Sequence, residues 1–407
     1  MTKRRLLAAG SAVVFSLTGL LALGQARAQD SDVYKVGILT DMSGPYAAMG
    51  GAGSVAAAKM AIEDCMKAEC KGMKIELLTA DHQNKADIGA SKAREWLDRD
   101  KVDAIADLTN SSVALAVQKL IRDKGGIAMY GGPATTVLTN AECAPNGFHW
   151  MFDTYSQAAG AAAALTKMGQ KSWYFVTVDY AFGQSLEKDA GDVVKSLGGT
   201  VVGSVRHPLN ASDFSSFLLQ AQSSKAQVIG LADGGQDTVN AIKAARSFGV
   251  GSKNQRLAAL LVFLSDVHAL GLNDAQGLVY TDGFYWDFDN DTRAFSKRFE
   301  ALNKGSKPTM VHAGVYSSVY HYLKAAAAAK SHDWKVVTQK MREIPIHDAV
   351  MRNASIRADG RVIHDMYLYQ VKTPAESKAP WDYLKLLSTI PAQQAFKPMD
   401  ASCSLTK

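Results

Sequence analysis

Twice along this chain, short apolar runs alternate with longer segments of helical period, and few folds accommodate that rhythm. The first series places apolar runs at 34–39, 75–78, 102–106 and 127–130, with helical segments at 47–67, 88–97 and 113–121 between them. On the first helical segment Val55, Ala58, Ile62 and Met66 share one face, the spacing of an amphipathic helix. The rhythm then restarts, with helices at 156–168, 182–197, 214–221 and 238–248 around strands at 173–178, 200–205, 228–231, 260–264 and 278–280. Uniformly apolar strands separated by helices call for a mostly parallel sheet covered on both faces. The expected fold class is therefore α/β, with two Rossmann-like, doubly wound lobes joined by a multi-strand hinge. Further helices at 292–302 and 311–329 and a strand pair at 366–371 and 383–387 follow, so late segments must return to lobes already begun. The reading assigns 29–152 and about 284–345 to lobe 1, 153–283 and about 346–390 to lobe 2, and 391–407 to a tail returning to lobe 1.

The N-terminus reads as an address label. Lys3, Arg4 and Arg5 precede an uncharged apolar stretch at 6–23, and Ala26-Arg27-Ala28 supplies a small-x-small cleavage pattern. Residues 1–28 are expected to be a signal peptide cut after Ala28; a membrane anchor is the alternative for a stretch of this length. The first cysteine is Cys65, so a lipid-modified start is not expected. Losing Lys3, Arg4, Arg5 and Arg27 lowers the formal charge from +6 to +2, and the remaining basic residues are scattered. That pattern excludes nucleic acid as a partner and a polybasic membrane surface. An exported chain meets an oxidising compartment, so Cys65, Cys70, Cys143 and Cys403 are expected in disulfides. Of the three possible pairings, Cys65–Cys70 with Cys143–Cys403 is favoured. The first bridge requires its helix to stop before Cys70, because five helical residues would hold the two Cα atoms too far apart. No CxxC or paired His/Cys spacing appears, so no metal is expected.

In open parallel sheets ligands bind outside the carboxyl ends of the strands. Those positions carry Ser43 and Tyr46 after the first strand, Asp81-His82-Gln83-Asn84 after the second, and Asn110, Ser111 and Ser112 after the third. Gly132, Ala134 and Thr135 follow the fourth. Hydroxyls and glycines at helix N-termini hold a carboxylate without a formal cation. Ordinary capping by Ser, Thr and Asn is the competing explanation for any one loop. From the second series Tyr155, Tyr180, Phe182, Asp233, Gly234 and Asp282 complete the candidate ligand-binding set.

The run Val36-Gly37-Ile38-Leu39-Thr40-Asp41-Met42-Ser43-Gly44-Pro45 resembles the opening strand and Ser-Gly-Pro turn of the leucine/isoleucine/valine-binding group of type I periplasmic binding proteins. Asn110-Ser111-Ser112, Pro133-Ala134-Thr135-Thr136 and Asp179-Tyr180-Ala181-Phe182-Gly183 match further landmarks of that family in the same order. The resemblance covers nearly the whole chain after 28. It implies a Venus-flytrap receptor, a monomer with three interlobe crossovers, delivering a small carboxylate-bearing ligand to the permease subunits of an ABC importer. It also implies that Ser111 or Ser112 and the 132–135 loop hold the carboxylate. Tyr180 and Phe182-Gly183 would then pack on the ligand from lobe 2, and Asp282 would meet an α-ammonium. Asp282 is shorter than the Glu usual in amino-acid binders, and Tyr180, Phe182, Phe284, Tyr285 and Trp286 form an aromatic cluster. Both features open an alternative to a branched-chain amino acid, namely an aromatic acid or short oxo-acid without an amine.

Enzymatic activity is not expected. The chain has no GxSxG elbow, HExxH or P-loop, and Gly50-Gly51-Ala52-Gly53 lacks dinucleotide-binding spacing. No cofactor is expected. A periplasmic sensor using the same fold is the alternative class.

Overall fold

A computed structural model describes residues 32–251 and 255–406; the expected signal peptide lies outside them. Strand β1 (Val33–Thr40) leads through helix α1 (Gly51–Lys67) to β2 (Lys74–Asp81), α2 (Ala86–Glu95), β3 (Ala104–Asp107), α3 (Ser111–Lys124), β4 (Ile127–Tyr130) and β5 (Gly147–His149). These five strands form one parallel sheet in the order β2-β1-β3-β4-β5. Val36, Ile38 and Leu39 of β1 are fully buried, as a strand covered on both faces requires, and each stabilises the fold by roughly 1.5–3 kcal/mol.

The second series begins with α4 (Thr154–Lys167) and runs through β6 (Ser172–Val178), α5 (Ala181–Ser196), β7 (Thr200–His207), α6 (Ser215–Ser223), β8 (Val228–Ala232), α7 (Gln236–Ser247) and β9 (Arg256–Ala259). Its sheet is parallel, in the order β7-β6-β8-β9. After α8 (Leu264–Leu270) and the short α9 (Leu272–Ala275), β10 (Val279–Asp282) opens a separate sheet. Helices α10 (Asn290–Leu302), α11 (Met310–Ala329) and α12 (Trp334–Glu343) follow, and α10 and α11 pack on α1 of the first series. A hairpin of β11 (Ser355–Ile356) and β12 (Val362–Ile363) precedes β13 (Met366–Val371), β14 (Leu384–Ile390) and the short α13 (Ala392–Ala395). Strands β10, β13 and β14 pair antiparallel in that order, and their buried Tyr280, Tyr369 and Leu384 join the core of the second lobe. Two lobes with parallel sheets result, in agreement with the expected fold class.

Three details differ from the sequence reading. The run at 260–264 is not a strand: only the Leu260 amide continues the ladder, to Leu231 O, and the chain then bends into α8, whose Asp266 accepts a bond from the Phe263 amide. Apolar burial alone cannot distinguish a buried strand from a buried turn. Helix α12 and the three-residue β5 were not foreseen. The hairpin at 355–363, expected with lobe 2, instead lies against β5, where His149 bridges Arg361 and the His149 amide donates to Gly360 O.

Arg361 shows why. Its buried guanidinium donates to Phe152 O (3.0 Å) and Trp150 O (3.4 Å) and lies 3.5 Å from the Asp153 carboxylate. His364 Nε2 lies 2.7 Å from Met151 O. The passage 150–153, where the chain leaves β5 for α4, is thus clamped from the side by the late segment, and Asp153 also caps α4 through the Ser156 amide.

Both disulfides pair as favoured. Cys65–Cys70 closes just after α1 ends at Lys67, and Cys143–Cys403 fastens the tail to the first lobe.

Candidate ligand-binding cleft

The carboxyl ends of β1, β3 and β4 face those of β6 and β9 across a narrow cleft. From the first lobe it is lined by Tyr46, Met49, Thr109, Ser111, Gly132 and Ala134, and from the second by Tyr180, Phe182 and Leu261. About 200 Å³ of space lies along it, part of it open to solvent.

Asp41 shapes the first wall. Its buried carboxylate accepts the amides of Gly44 (2.7 Å) and Tyr46 (2.8 Å), folding the Ser-Gly-Pro turn so that Tyr46 points into the cleft. Ser43 does not face inward: it is exposed, and its hydroxyl donates to Asp81 (2.7 Å).

The β3–α3 loop is strained. Asp107 (φ 77°) and Leu108 (φ 60°) both occupy the left-handed region, which costs on the order of 1 kcal/mol or more for each non-glycine residue. The distortion turns the chain so that Thr109 and Ser111 reach the cleft. For Asn110 the capping explanation holds: its side chain accepts the amides of Ser112 (2.9 Å) and Val113 (3.2 Å) at the start of α3. Ser111 is buried, lines the cleft, and accepts the Thr135 amide (3.3 Å); Ser112 does not line it. Gly132 cannot carry a side chain, because a Cβ would stand 2.6 Å from the Asp107 carboxylate and 2.7 Å from Thr109.

On the other side, Gly183 lets α5 start directly beneath β6, since a Cβ there would lie 2.1 Å from Val178 O. Tyr180 and Phe182 consequently project from the head of α5 into the cleft. Gly234 backs this wall, with Phe182 and Leu261 within 3.5 Å of where its Cβ would stand. Asp233 is buried behind the cleft, where it accepts the Thr238 hydroxyl (2.6 Å) and lies 3.6 Å from His207. Tyr155 lines an outer groove along α4, away from the cleft.

The two walls touch. The hydroxyls of Tyr46 and Tyr180 lie 2.7 Å apart, and the Gln236 amide donates to Pro45 O (3.2 Å). A second seam joins Thr135 to Ser185 (3.0 Å), while Asp189 of α5 accepts the hydroxyls of Thr136 (3.1 Å) and Thr154 (2.6 Å). Burial raises the pKa of Asp189 to about 6.

Among the described residues no charged side chain lines the cleft. Asp282 sits at the end of β10, fully buried, accepting the Phe284 amide (2.9 Å). Burial raises its pKa to about 8, so at neutral pH it keeps its proton. The consequence for stability has a definite sign. A carboxyl that keeps its proton in the fold but loses it on unfolding favours the fold at low pH, and that advantage disappears as pH rises toward 8. Burial also raises Asp266 to about 7, whereas it lowers His82, His312, His321 and His364 to about 4, opposing the acids only below pH 6.5. Thermal stability should therefore fall between about pH 6.5 and 8, and Asp282→Asn should flatten that fall in melting curves across the interval.

Three lining residues, Met49, Thr109 and Leu261, were not among the expected set. Thr109 adjoins one that was, and Leu261 was concealed in the run at 260–264.

With this geometry in view, the sequence matches the periplasmic binding protein family profile over residues 33–378. The chain belongs to the periplasmic binding protein family. A crystal structure of a periplasmic binding protein from Burkholderia mallei is 50% identical, covering 92% of this chain and 100% of the other with a TM-score of 0.89. A branched-chain amino acid ABC transporter periplasmic ligand-binding protein from Burkholderia xenovorans is 40% identical, covering 91% and 100%, with a TM-score of 0.80. The Leu/Ile/Val-binding protein homolog 6 of Brucella melitensis is 27% identical over 303 residues, 69% of this chain and 71% of that one. This periplasmic binding protein has the type I fold of its family.

Proposed function

We propose that the chain is an exported solute receptor that captures a small apolar monocarboxylate between its lobes and presents the closed form to an ABC permease. The observation that carries this reading is the cleft itself, with uncharged donors on one wall and aromatic rings on the other. In this reading lobe 1 binds the anion through Ser111 and the 132–135 loop, and Tyr180, Phe182 and Leu261 cover the apolar part. Contacts made only in the closed state shift the population toward closure. Exclusion of water strengthens the bonds to the anion.

An ammonium group has no counter-charge in this cleft. Asp233 lies behind the cleft wall, where one oxygen accepts the Thr238 hydroxyl and the other stands 3.6 Å from His207, and Asp282, its pKa raised by burial to about 8, accepts the Phe284 amide of its own loop. We therefore favour an aromatic or oxo monocarboxylate over an amino acid; the name of the Burkholderia xenovorans relative supports a branched-chain amino acid as the second reading. Calorimetric titration with benzoate, 2-oxoisovalerate and leucine separates the two. Binding of either amine-free acid without binding of leucine is the expected result, and the reverse would establish the second reading.

The serine pair gives a sharper test. Ser111→Ala should weaken binding of the preferred carboxylate by about 1.5–3 kcal/mol, as for a lost hydrogen bond to a charged group, whereas Ser112→Ala should leave it almost unchanged. Equal effects of the two substitutions in calorimetry would reject the assignment.

A further inference from the structure

A second cavity, unconnected with the cleft, opens in the second lobe where its two sheets fail to join. Strand β9 ends one sheet and β10 begins the other, and between their facing edges lies a trough of about 460 Å³, far roomier than the cleft. Leu165 and Met168 from the end of α4 form one wall and Ile242 of α7 another, with Leu278 and Leu368 between them. Among the described residues no aromatic side chain and no carboxylate lines the trough.

Arg246 and Arg256 stand at its border. Arg246 donates to the Asp274 backbone oxygen (3.2 Å), and among the described residues neither guanidinium is paired with a carboxylate. Met168 is 65% exposed and Leu387, also lining the trough, is 45% exposed, so the fold leaves an apolar strip in water beside two cations.

We infer that this trough is a second ligand site, for an aliphatic carboxylate with a flexible hydrocarbon chain of medium length. A guanidinium pair receives a carboxylate through bidentate, charge-assisted bonds. The aliphatic lining favours a chain that can follow an irregular channel, whereas the aromatic wall of the cleft suits a compact ligand.

The test is calorimetric titration of decanoate into the whole protein. Wild-type protein is expected to bind it, with decanol at least about tenfold weaker because it lacks the anion. The Arg246→Ala/Arg256→Ala double variant, altered only at exposed positions, should bind decanoate at least about tenfold more weakly, while keeping its affinity for the cleft ligand. Ala164→Trp, which fills the trough, should abolish decanoate binding, and Ala134→Trp, which fills the cleft, should not. The inference is overturned if no decanoate binds up to about 1 mM, if the double arginine variant binds as wild type, or if Ala134→Trp removes the binding.

Discussion

Replacement of Arg361 by alanine should destabilise the protein by about 3–5 kcal/mol, the range for breaking a buried ion pair by removing one partner. The guanidinium is fully buried and serves three groups of the passage from β5 to α4: the carbonyls of Trp150 and Phe152 and the carboxylate of Asp153. Without it, two carbonyls lose a charged donor and Asp153 becomes an unpaired buried charge. Burial lowers the arginine pKa to about 10 even with the Asp153 carboxylate beside it. Arg361→Lys would restore the charge but not the forked geometry, and should recover only part of the loss. Chemical denaturation of both variants measures the effect. A loss below about 1 kcal/mol in Arg361→Ala would mean that the passage is held by other contacts.

Ala134→Trp is expected to lower affinity for the cleft ligand by at least about a thousandfold, roughly 4 kcal/mol. Ala134 is buried and lines the cleft together with Gly132, Tyr180 and Phe182. An indole there fills the narrow space between the two walls and keeps them from meeting. The Tyr46–Tyr180 contact would open with it. Since the substituted side chain faces the space between lobes and not a lobe core, the melting temperature should change far less than the affinity. Equilibrium binding and thermal melting of the same variant distinguish a blocked cleft from a damaged fold.

Much of this arrangement was legible in the residues. Apolar runs buried on both faces defined β1 and β4, and the loops after them carry Tyr46, Gly132 and Ala134 into the cleft, as strand-end geometry requires. The disulfides pair as favoured among three possibilities, and α1 ends before Cys70 as the first bridge requires. Other features depended on tertiary context. Ser43 and Asn110 have the chemistry of ligand donors, but Asp81 and the N-terminus of α3 claim them first. Asp282 reads as an anion, yet its surroundings remove the water that would ionise it. Leu261 reads as strand because burial in a bend and burial in a sheet leave the same hydrophobic pattern. Arg361, 209 residues from the carbonyl of Phe152 that it binds, leaves no local pattern at all.

Most direct of all is a crystal structure of the complex with the preferred monocarboxylate. The carboxylate oxygens should lie within about 3 Å of Ser111 Oγ and the Ala134 backbone amide, with the remainder of the ligand against Tyr180, Phe182 and Leu261. A ligand seated with its carboxylate on an arginine, or held by one lobe alone, would contradict capture by uncharged donors between two closing lobes.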